Sequence, residues 1–509
     1  MGEKMATRKQ VFTFTLQRFK SFWDQFNQSK RGMIGVGILT FFVMIALLAP
    51  LIAPLDAYEP KIEGCYPAGK NPKIAVRLCV PSWQRYLPGG ENLAENVYVV
   101  NDHEFSSPEA FKEWRNESFN CQVKDNLDDG YKKDGCIEVS YQASDGSTQA
   151  TAKISKDFQY SYNAPPKEFW MHYSIFTEAP QTNDTFPVRI NLLLKRDQES
   201  YTLKSFAPEA ESWASHLAHS YVKIKESEDL REMFAAKGNY TYIVEVQIDG
   251  RFLENENVTV YLDNLDVIIY GNCYGFLGTD RGVGATGGHP RDLFSTLVYG
   301  TRISLLIGLL SAIISTFLGL FLGLISGFAG GFVDQAVMRI ADVLLVIPSL
   351  PLLIVLAMVL SPSIWNLILI ISFMGWMGFA RQTRSMTLSL RERTFIESAK
   401  ASGAGTLYIV NKHILPNVFA LVYITLATSV PGAIVYEASL SWLGLFDPTV
   451  VSWGRVLYEF NLAHVLSGIT EYWFWVIPPG VAITLLAMSF ILIGFALDEI
   501  LNPKLRRRR

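Results

Sequence analysis

Charge is missing from long parts of this sequence. Lys, Arg, Asp and Glu make up 18% of its 509 residues, yet none occurs in 32–55, 303–333, 343–380, 414–436 or 472–497. Uncharged runs of that length are not the loops or surface helices of a soluble protein. The net charge is only −3, so no global basic field points to nucleic acid. The seven histidines are scattered rather than paired, with no metal-ligand spacing and no nucleophile motif, and no Gly-x-x-x-x-Gly-Lys-Ser/Thr phosphate loop occurs. Metal-centred catalysis, covalent catalysis and ATP binding on this chain therefore lack sequence support. Cysteine is absent from every apolar run: Cys65, Cys79, Cys121, Cys136 and Cys273 all fall in the polar segment between Asp56 and Asp280.

What remains is two unlike parts, whose average gives a mean hydropathy of only +0.18. The first apolar run follows Arg31 and is long enough to cross about 30 Å of hydrocarbon as a helix. No small-residue cleavage site follows it, so it reads as a retained anchor rather than a signal peptide. The run 343–380 is too long for one helix, and Ser361-Pro362-Ser363 at its middle reads as the turn of a hairpin. The expectation is an all-α polytopic bundle of six transmembrane helices, at about 32–56, 303–327, 340–360, 364–381, 414–437 and 472–497. Gly308, Ser311, Gly319, Gly323, Ser326 and Gly327 recur near helical spacing along the second, which suits tight helix packing.

Lys and Arg set the orientation. Arg8, Lys9, Arg18, Lys20, Lys30 and Arg31 precede the first span, Lys504 and Arg506 to Arg509 follow the last, and Arg381, Arg384, Arg391, Arg393 and Lys400 follow the fourth. By the positive-inside rule both termini face the cytoplasm, in a multi-pass protein of the plasma (inner) membrane. Residues 57–276 then form an extracytoplasmic domain, 277–300 link it to the second span, 301–500 form the core, and 501–509 are a basic tail. The cysteines of that domain are either buried thiols or disulfides, an oxidising exterior favouring bridges, and Cys121 with Cys136 is one candidate pair. The sequons at Asn116, Asn183, Asn239 and Asn257 fall in the same domain and are candidate N-glycosylation sites. Alternation in 240–249 and 257–270 reads as strand and 208–226 as helix, giving an α+β or mainly β domain. Trp83, Trp114, Trp170 and Trp213 form either its core or a ligand surface, core being favoured.

Between the fourth and fifth spans, 391–413 reads as a short amphipathic helix, a glycine break at Gly403 and a second short helix. Small residues Ala399, Ala401, Ser402 and Ala404 leave room there for a partner. The stretch resembles the EAA loop of ATP-binding-cassette importer permeases. Glu397, Ser398, Ala399, Gly403, Leu415 and Pro416 fall in register with that pattern, with Ser398 in place of its middle alanine and His413 in place of an isoleucine. LGTD (Leu277 to Asp280), YGTRISLLIGLL (Tyr299 to Leu310), GFAGGFVDQAVMRIADVLLVIPSLPLL (Gly327 to Leu353) and EASLSWLGL (Glu437 to Leu445) narrow the resemblance to the C-type subunit of the dipeptide/oligopeptide/nickel permease family. Two departures stand out: RGVGATGGHP separates LGTD from Arg291-Asp292, and the insert of about 220 residues replaces a short connection.

The resemblance implies a permease that does no covalent chemistry and carries no cofactor, with ATP and Mg held by partner subunits. Its partners would be a second, B-type permease, two ATPases, an extracytoplasmic solute-binding protein and the lipid bilayer. Glu397, Ser398, Ala399, Ala401, Gly403, Ala404, Leu415 and Pro416 would then form the ATPase-coupling loop. Met374, Trp376, Met377 and Glu437 are candidate pathway-lining residues, with packing as the alternative for the first three and a helix terminus for Glu437. A membrane-anchored receptor with a ligand-binding ectodomain would explain the insert but not the loop.

Overall fold

The computed structural model describes residues 20, 22–53, 74–100, 105, 107–130, 135–142, 149–179, 187–208, 218–224, 227–253, 256–280, 290–463 and 472–501. Cys65, Asn183, Trp213 and most of the basic tails lie outside them. The chain divides into two compact units: Met1–Tyr58 with Leu293–Arg509 and the short stretch Val283–Gly287, and Glu59–Gly282 with Gly288–Asp292.

The apolar unit is helical. Its elements are α1 (Lys30–Ile52), α2 (Leu293–Ala329), α3 (Gly331–Val346), α4 (Ser349–Val359), α5 (Ile364–Arg391), α6 (Thr394–Ala401), α7 (Thr406–Ile409), α8 (Leu415–Trp442), α9 (Trp453–Leu462) and α10 (Trp473–Leu501). Among the described residues, five helical stretches are long and apolar enough to cross a membrane: α1, α2, α5, the run Thr406–Trp442 and α10. The expected straight span at 340–360 is not found. Instead α3 and α4 meet at a 98° bend. Pro348 explains it, because its ring excludes the helical conformation from the residue before it, and Ile347 is extended (φ −72°, ψ 130°). Helix α2 begins ten residues earlier than the uncharged run, and the Arg302 that ended that run is accommodated by donating to the Ala46 carbonyl at 2.5 Å.

The small residues of α2 explain the tightest packing in this unit. Gly319, Gly323 and Gly327 repeat every fourth residue and so share one face. They let α2 lie against the backbone of α5: a Cβ on Gly319 would meet the Trp376 carbonyl oxygen at 2.7 Å, and one on Gly323 the Ala380 oxygen at 2.5 Å. Close approach through small residues is the usual source of helix association where no hydrophobic driving force acts between helices.

The second unit is built from two antiparallel sheets. One has the strand order β3 (Gln122–Asn126), β4 (Cys136–Tyr141), β11 (Val258–Tyr270), β6 (Glu168–Glu178), β9 (Ala218–Lys223), with β1 (Val97–Tyr98) also on β11. The other runs β2 (Arg115–Phe119), β5 (Gln149–Tyr160), β10 (Gly238–Asp249), β7 (Val188–Arg196), β8 (Glu199–Phe206). Alternate residues of β10, Tyr240, Tyr242, Val244, Val246 and Ile248, enter one shared core with Ile137, Val139, Met171 and Val260 of the other sheet. Trp114 and Trp170 are buried, while Trp83 is half-buried. The helix expected over 208–226 is a strand where it is described: 218–223 pair with β6, His219 facing His172, so cross-strand partners override local pattern.

The Cys121–Cys136 bridge does not form: Cys121 is a free thiol, as are Cys79 and Cys273. Register explains this. Asn126 faces Cys136 and Gln122 faces Ser140, so Cys121 lies at the opposite end of the ladder from Cys136. About five residues of strand at ~3.3 Å each separate them, against the ~7 Å limit for a bridge. Burial pushes the thiols of Cys79 and Cys273 up to about 11 and about 12. Asn116, Asn239 and Asn257 are exposed.

The interrupted LGTD motif closes on itself. Asp280 accepts the Arg291 backbone N–H at 2.8 Å and its Nε at 2.8 Å, with Nη2 at 2.7 Å, while Asp280 N–H donates to the Arg291 carbonyl. Both charges are almost fully buried.

Candidate functional site

The loop between α5 and α8 is built around a helix stop. Helix α6 ends in a Schellman arrangement: Gly403 N–H donates to the Lys400 carbonyl, Ala404 N–H to the Ala399 carbonyl, and Gly403 takes φ +80°. That conformation is open to glycine and strained for side chains with a Cβ. A Cβ on Gly403 would meet open space, so backbone angle rather than crowding selects the glycine. Beyond it, α7 passes through a π turn (Val410–Ile414) into α8. Pro416 accounts for the turn, since it lacks the N–H that an α-helix would give to the carbonyl four residues back.

One side chain pins this projection to the bundle. Ile396, fully buried, packs with Ile409, Ile414 and Val418 against Leu320 of α2 and Phe379 of α5. Burying such a side chain stabilises the contact by about 1.5–3 kcal/mol. His413, where the resembling family carries isoleucine, sits between the rings of Phe395 (6.1 Å) and Tyr408 (5.9 Å) and ties α6 to α7. Glu397, Ser398, Ala401, Gly403 and Pro416 are exposed, and Ala399, Ala404 and Leu415 are half-buried.

Two residues that sequence reasoning passed over complete the exposed surface. Leu407 is 78% and Tyr408 57% exposed, next to Phe395 at 45%. Their signal was present, since two large apolar side chains follow the Gly403-Ala404-Gly405 break in a loop otherwise rich in charge.

Polar contacts fasten the adjoining helices at the same pole. Arg384 of α5 binds Asp334 of α3 through both of its carboxylate oxygens, and Ser326 of α2 donates to the same group. Asp342 pairs with Arg381 across to α5 rather than with Arg339 on its own helix. Arg391 donates to the Phe328 carbonyl at 3.1 Å, only a few residues before α6 begins. These contacts join α5 to α2 and α3 beside the start of α6.

The four pathway candidates separate. Trp376 and Met377 are buried in a cluster with Ala341 and Ala380, so they pack α3 and α5 together and present no free face. Met374 is half-buried and bridges that cluster to a second one. Glu437 alone reaches a cavity. It lies on α8 near the pole opposite α6, is 1% exposed, and lines a narrow pocket with Ser441, Asp447 and Ser452.

Comparison with known proteins bears on these features. The sequence profile of the binding-protein-dependent transport system inner membrane component matches residues 319–507, and that of the N-terminal TM domain of oligopeptide transport permease C matches residues 17–63. The chain is similar to the dipeptide transport system permease protein DppC of Bacillus subtilis (strain 168), 35% identical over 218 residues, 43% of this chain and 67% of that protein. It is similar to the oligopeptide transport system permease protein OppC of the same organism, also 35% identical over 218 residues, 43% of this chain and 70% of that protein. Among solved structures, an inward-facing conformation of the MetNI methionine ABC transporter aligns at 20% identity and a TM-score of 0.34, over 42% of this chain and 97% of that one.

Proposed function

The chain belongs to the binding-protein-dependent transport permeases, the inner membrane components of such systems, and from that premise we propose that it is the C-type permease subunit of an ATP-driven peptide importer. Relatives named for dipeptide and oligopeptide transport support the substrate class. In this reading α3 and α4 together make one bent span, six spans place both termini in the cytoplasm, and the sheet-rich unit stands outside. A second, B-type permease completes the pathway, two cytoplasmic ATPases hold ATP and Mg, and an extracytoplasmic solute-binding protein delivers the peptide.

The observation that carries the reading is the exposed projection of α6, Gly403 and α7, held to the bundle by Ile396. Closure of the ATPases on ATP would press on Glu397, Ser398, Ala401 and Gly403, with Leu407 and Tyr408 as apolar anchors. The push would travel through α5 to α2 and α3 and open the pathway outward, and hydrolysis would reset it. Linkage requires that the projection make different contacts in the two states, since a ligand that bound both equally would shift nothing. A receptor reading would leave the projection without a role. Affinity purification of the tagged chain in mild detergent tests the proposal: two ATPase chains and a second permease should copurify in fixed proportion, and a chain that purifies alone would defeat it.

A further inference from the structure

The chain reaches α1 through a short helix that folds back on the bundle. Residues 22–27 are helical, Ser29 N–H donates to the Phe26 carbonyl at 2.9 Å, and the Ser29 hydroxyl caps α1 by accepting from the Gly32 N–H at 3.3 Å. With only Gln28 and Ser29 between the two helices, the buried Phe26 rests on the first turn of α1. A Cβ on Gly32 would lie 2.9 Å from Phe26 Cζ and 2.8 Å from Cβ of Ala496 on α10. Gly32 opens the uncharged run 32–55, and Ala496 is the last but one residue of the uncharged run 472–497. Phe26 is therefore level with the place where both runs end, the boundary between hydrocarbon and headgroups. Phe22 and Trp23 precede Phe26 by four and three residues and share its side of the helix, their rings 6.2 and 6.0 Å from it. Trp23 is 44% exposed, and Asp24 falls on the other side. Lys20, Lys30 and Arg31 are exposed, and none of them forms an ion pair among the described residues. Residues 1–31 hold seven Lys and Arg against two acidic residues, so the surroundings carry the same sign.

We propose that this helix is a lipid-binding surface: it lies in the headgroup layer, with Trp23 at the hydrocarbon edge and Lys20, Lys30 and Arg31 binding the phosphates of anionic phospholipids. An indole ring settles at that boundary because its body is apolar and its N–H is polar. Cations beside a span attract an anionic membrane surface, and a wet apolar side chain next to them gains by entering it. Phe26 sets the depth, since its contact with Gly32 fixes the short helix at the end of both uncharged runs. The inference rests on α1 and α10 being membrane spans and not on what the transporter carries.

Two measurements on the assembled transporter test it. With p-benzoylphenylalanine in place of Trp23, in nanodiscs of mixed phosphatidylglycerol and phosphatidylcholine, illumination should attach phospholipid to this chain. The photoreactive group in place of Asp24 should capture severalfold less. Attachment at Trp23 to another protein chain instead of lipid, or equal capture at the two positions, overturns the surface. In detergent, added phosphatidylglycerol should raise the thermal midpoint of the complex more than phosphatidylcholine does, and Lys20→Gln combined with Lys30→Gln and Arg31→Gln should raise the amount needed by about ten-fold. An equal response to the two lipids, or a preference that the triple variant keeps, overturns the assignment to anionic headgroups. Should the triple variant fail to assemble, salt decides on the wild type: the preference should fade at about 1 M salt, where charges are screened beyond ~3 Å, and a preference that survives it overturns the proposal.

Discussion

Gly323 offers the sharpest test of how the bundle is held together. A methyl group there would lie 2.5 Å from the Ala380 carbonyl oxygen and 2.6 Å from Thr383 Cβ, atoms that no rotamer change can move aside. Ordinary contact is about 3.5 Å, so α2 and α5 would have to part by about 1 Å. Overpacking of that kind costs about 1–3 kcal/mol, and parting the helices also loosens the contacts at Gly319 and Gly327. A loss near 2 kcal/mol corresponds to about a 30-fold fall in the ratio of properly packed to unpacked protein. Gly378 on the same α5 is the control, because a Cβ there meets open space and Gly378→Ala should stay within about 0.5 kcal/mol of wild type. The thermal midpoint of the detergent-solubilised complex, followed by size-exclusion chromatography, reads the effect. Uptake per ATP hydrolysed reads its consequence for the projection that α5 carries. Gly323→Leu with the midpoint and coupling of wild type would refute the close-packing argument.

Further outcomes follow from other sites. Gly403→Val should reduce substrate-stimulated ATP hydrolysis severalfold while assembly is kept, because φ +80° costs a β-branched residue about 1–2 kcal/mol; Gly403→Asn should be milder. Asp280→Ala breaks the buried ion pair with Arg291 and should destabilise the inserted domain by about 3–5 kcal/mol, visible as rapid protease cleavage within it. Native protein at pH 7 should leave Cys79 and Cys273 unlabelled by maleimide and label them only after unfolding. Because burial raises both folded pKa values above the ordinary thiol value, their contribution to stability is complete below about pH 8.5 and should fade as pH rises toward 11–12.

The membrane helices were legible because hydrocarbon leaves a one-dimensional trace, the absence of charge, that needs no knowledge of tertiary contacts. The same criterion missed the bend at Ile347-Pro348, since an uncharged run looks alike whether straight or broken and only Pro348 marked the place. It also misplaced the start of α2, because Arg302 was read as an end when it is accommodated by a carbonyl of α1. The projection was readable from the spacing of Glu397, Gly403 and Pro416. Leu407 and Tyr408 stood out only as two large apolar side chains after the glycine break, and their exposure depends on how α7 turns relative to Ile396. In the inserted domain β10 and β11 announced themselves by alternation, whereas β9 is a strand only through its pairing with β6. The Cys121–Cys136 pair looked close in sequence, and only the register of β3 on β4 separates them. Trp376 and Met377 looked like pathway residues for want of any sign of what packs against them.

The most direct test of the account is a cross-link between Ala401→Cys on α6 and a cysteine placed in the facing groove of each ATPase, made in the assembled transporter. Ala401 is exposed and makes no contact that the bundle needs. Bridging should form readily in the nucleotide-free complex, change in yield when non-hydrolysable ATP is added, and stop uptake until reductant restores it. An Ala401→Cys that reacts only with reagents applied from outside the cell, or that never bridges to an ATPase, would contradict the account.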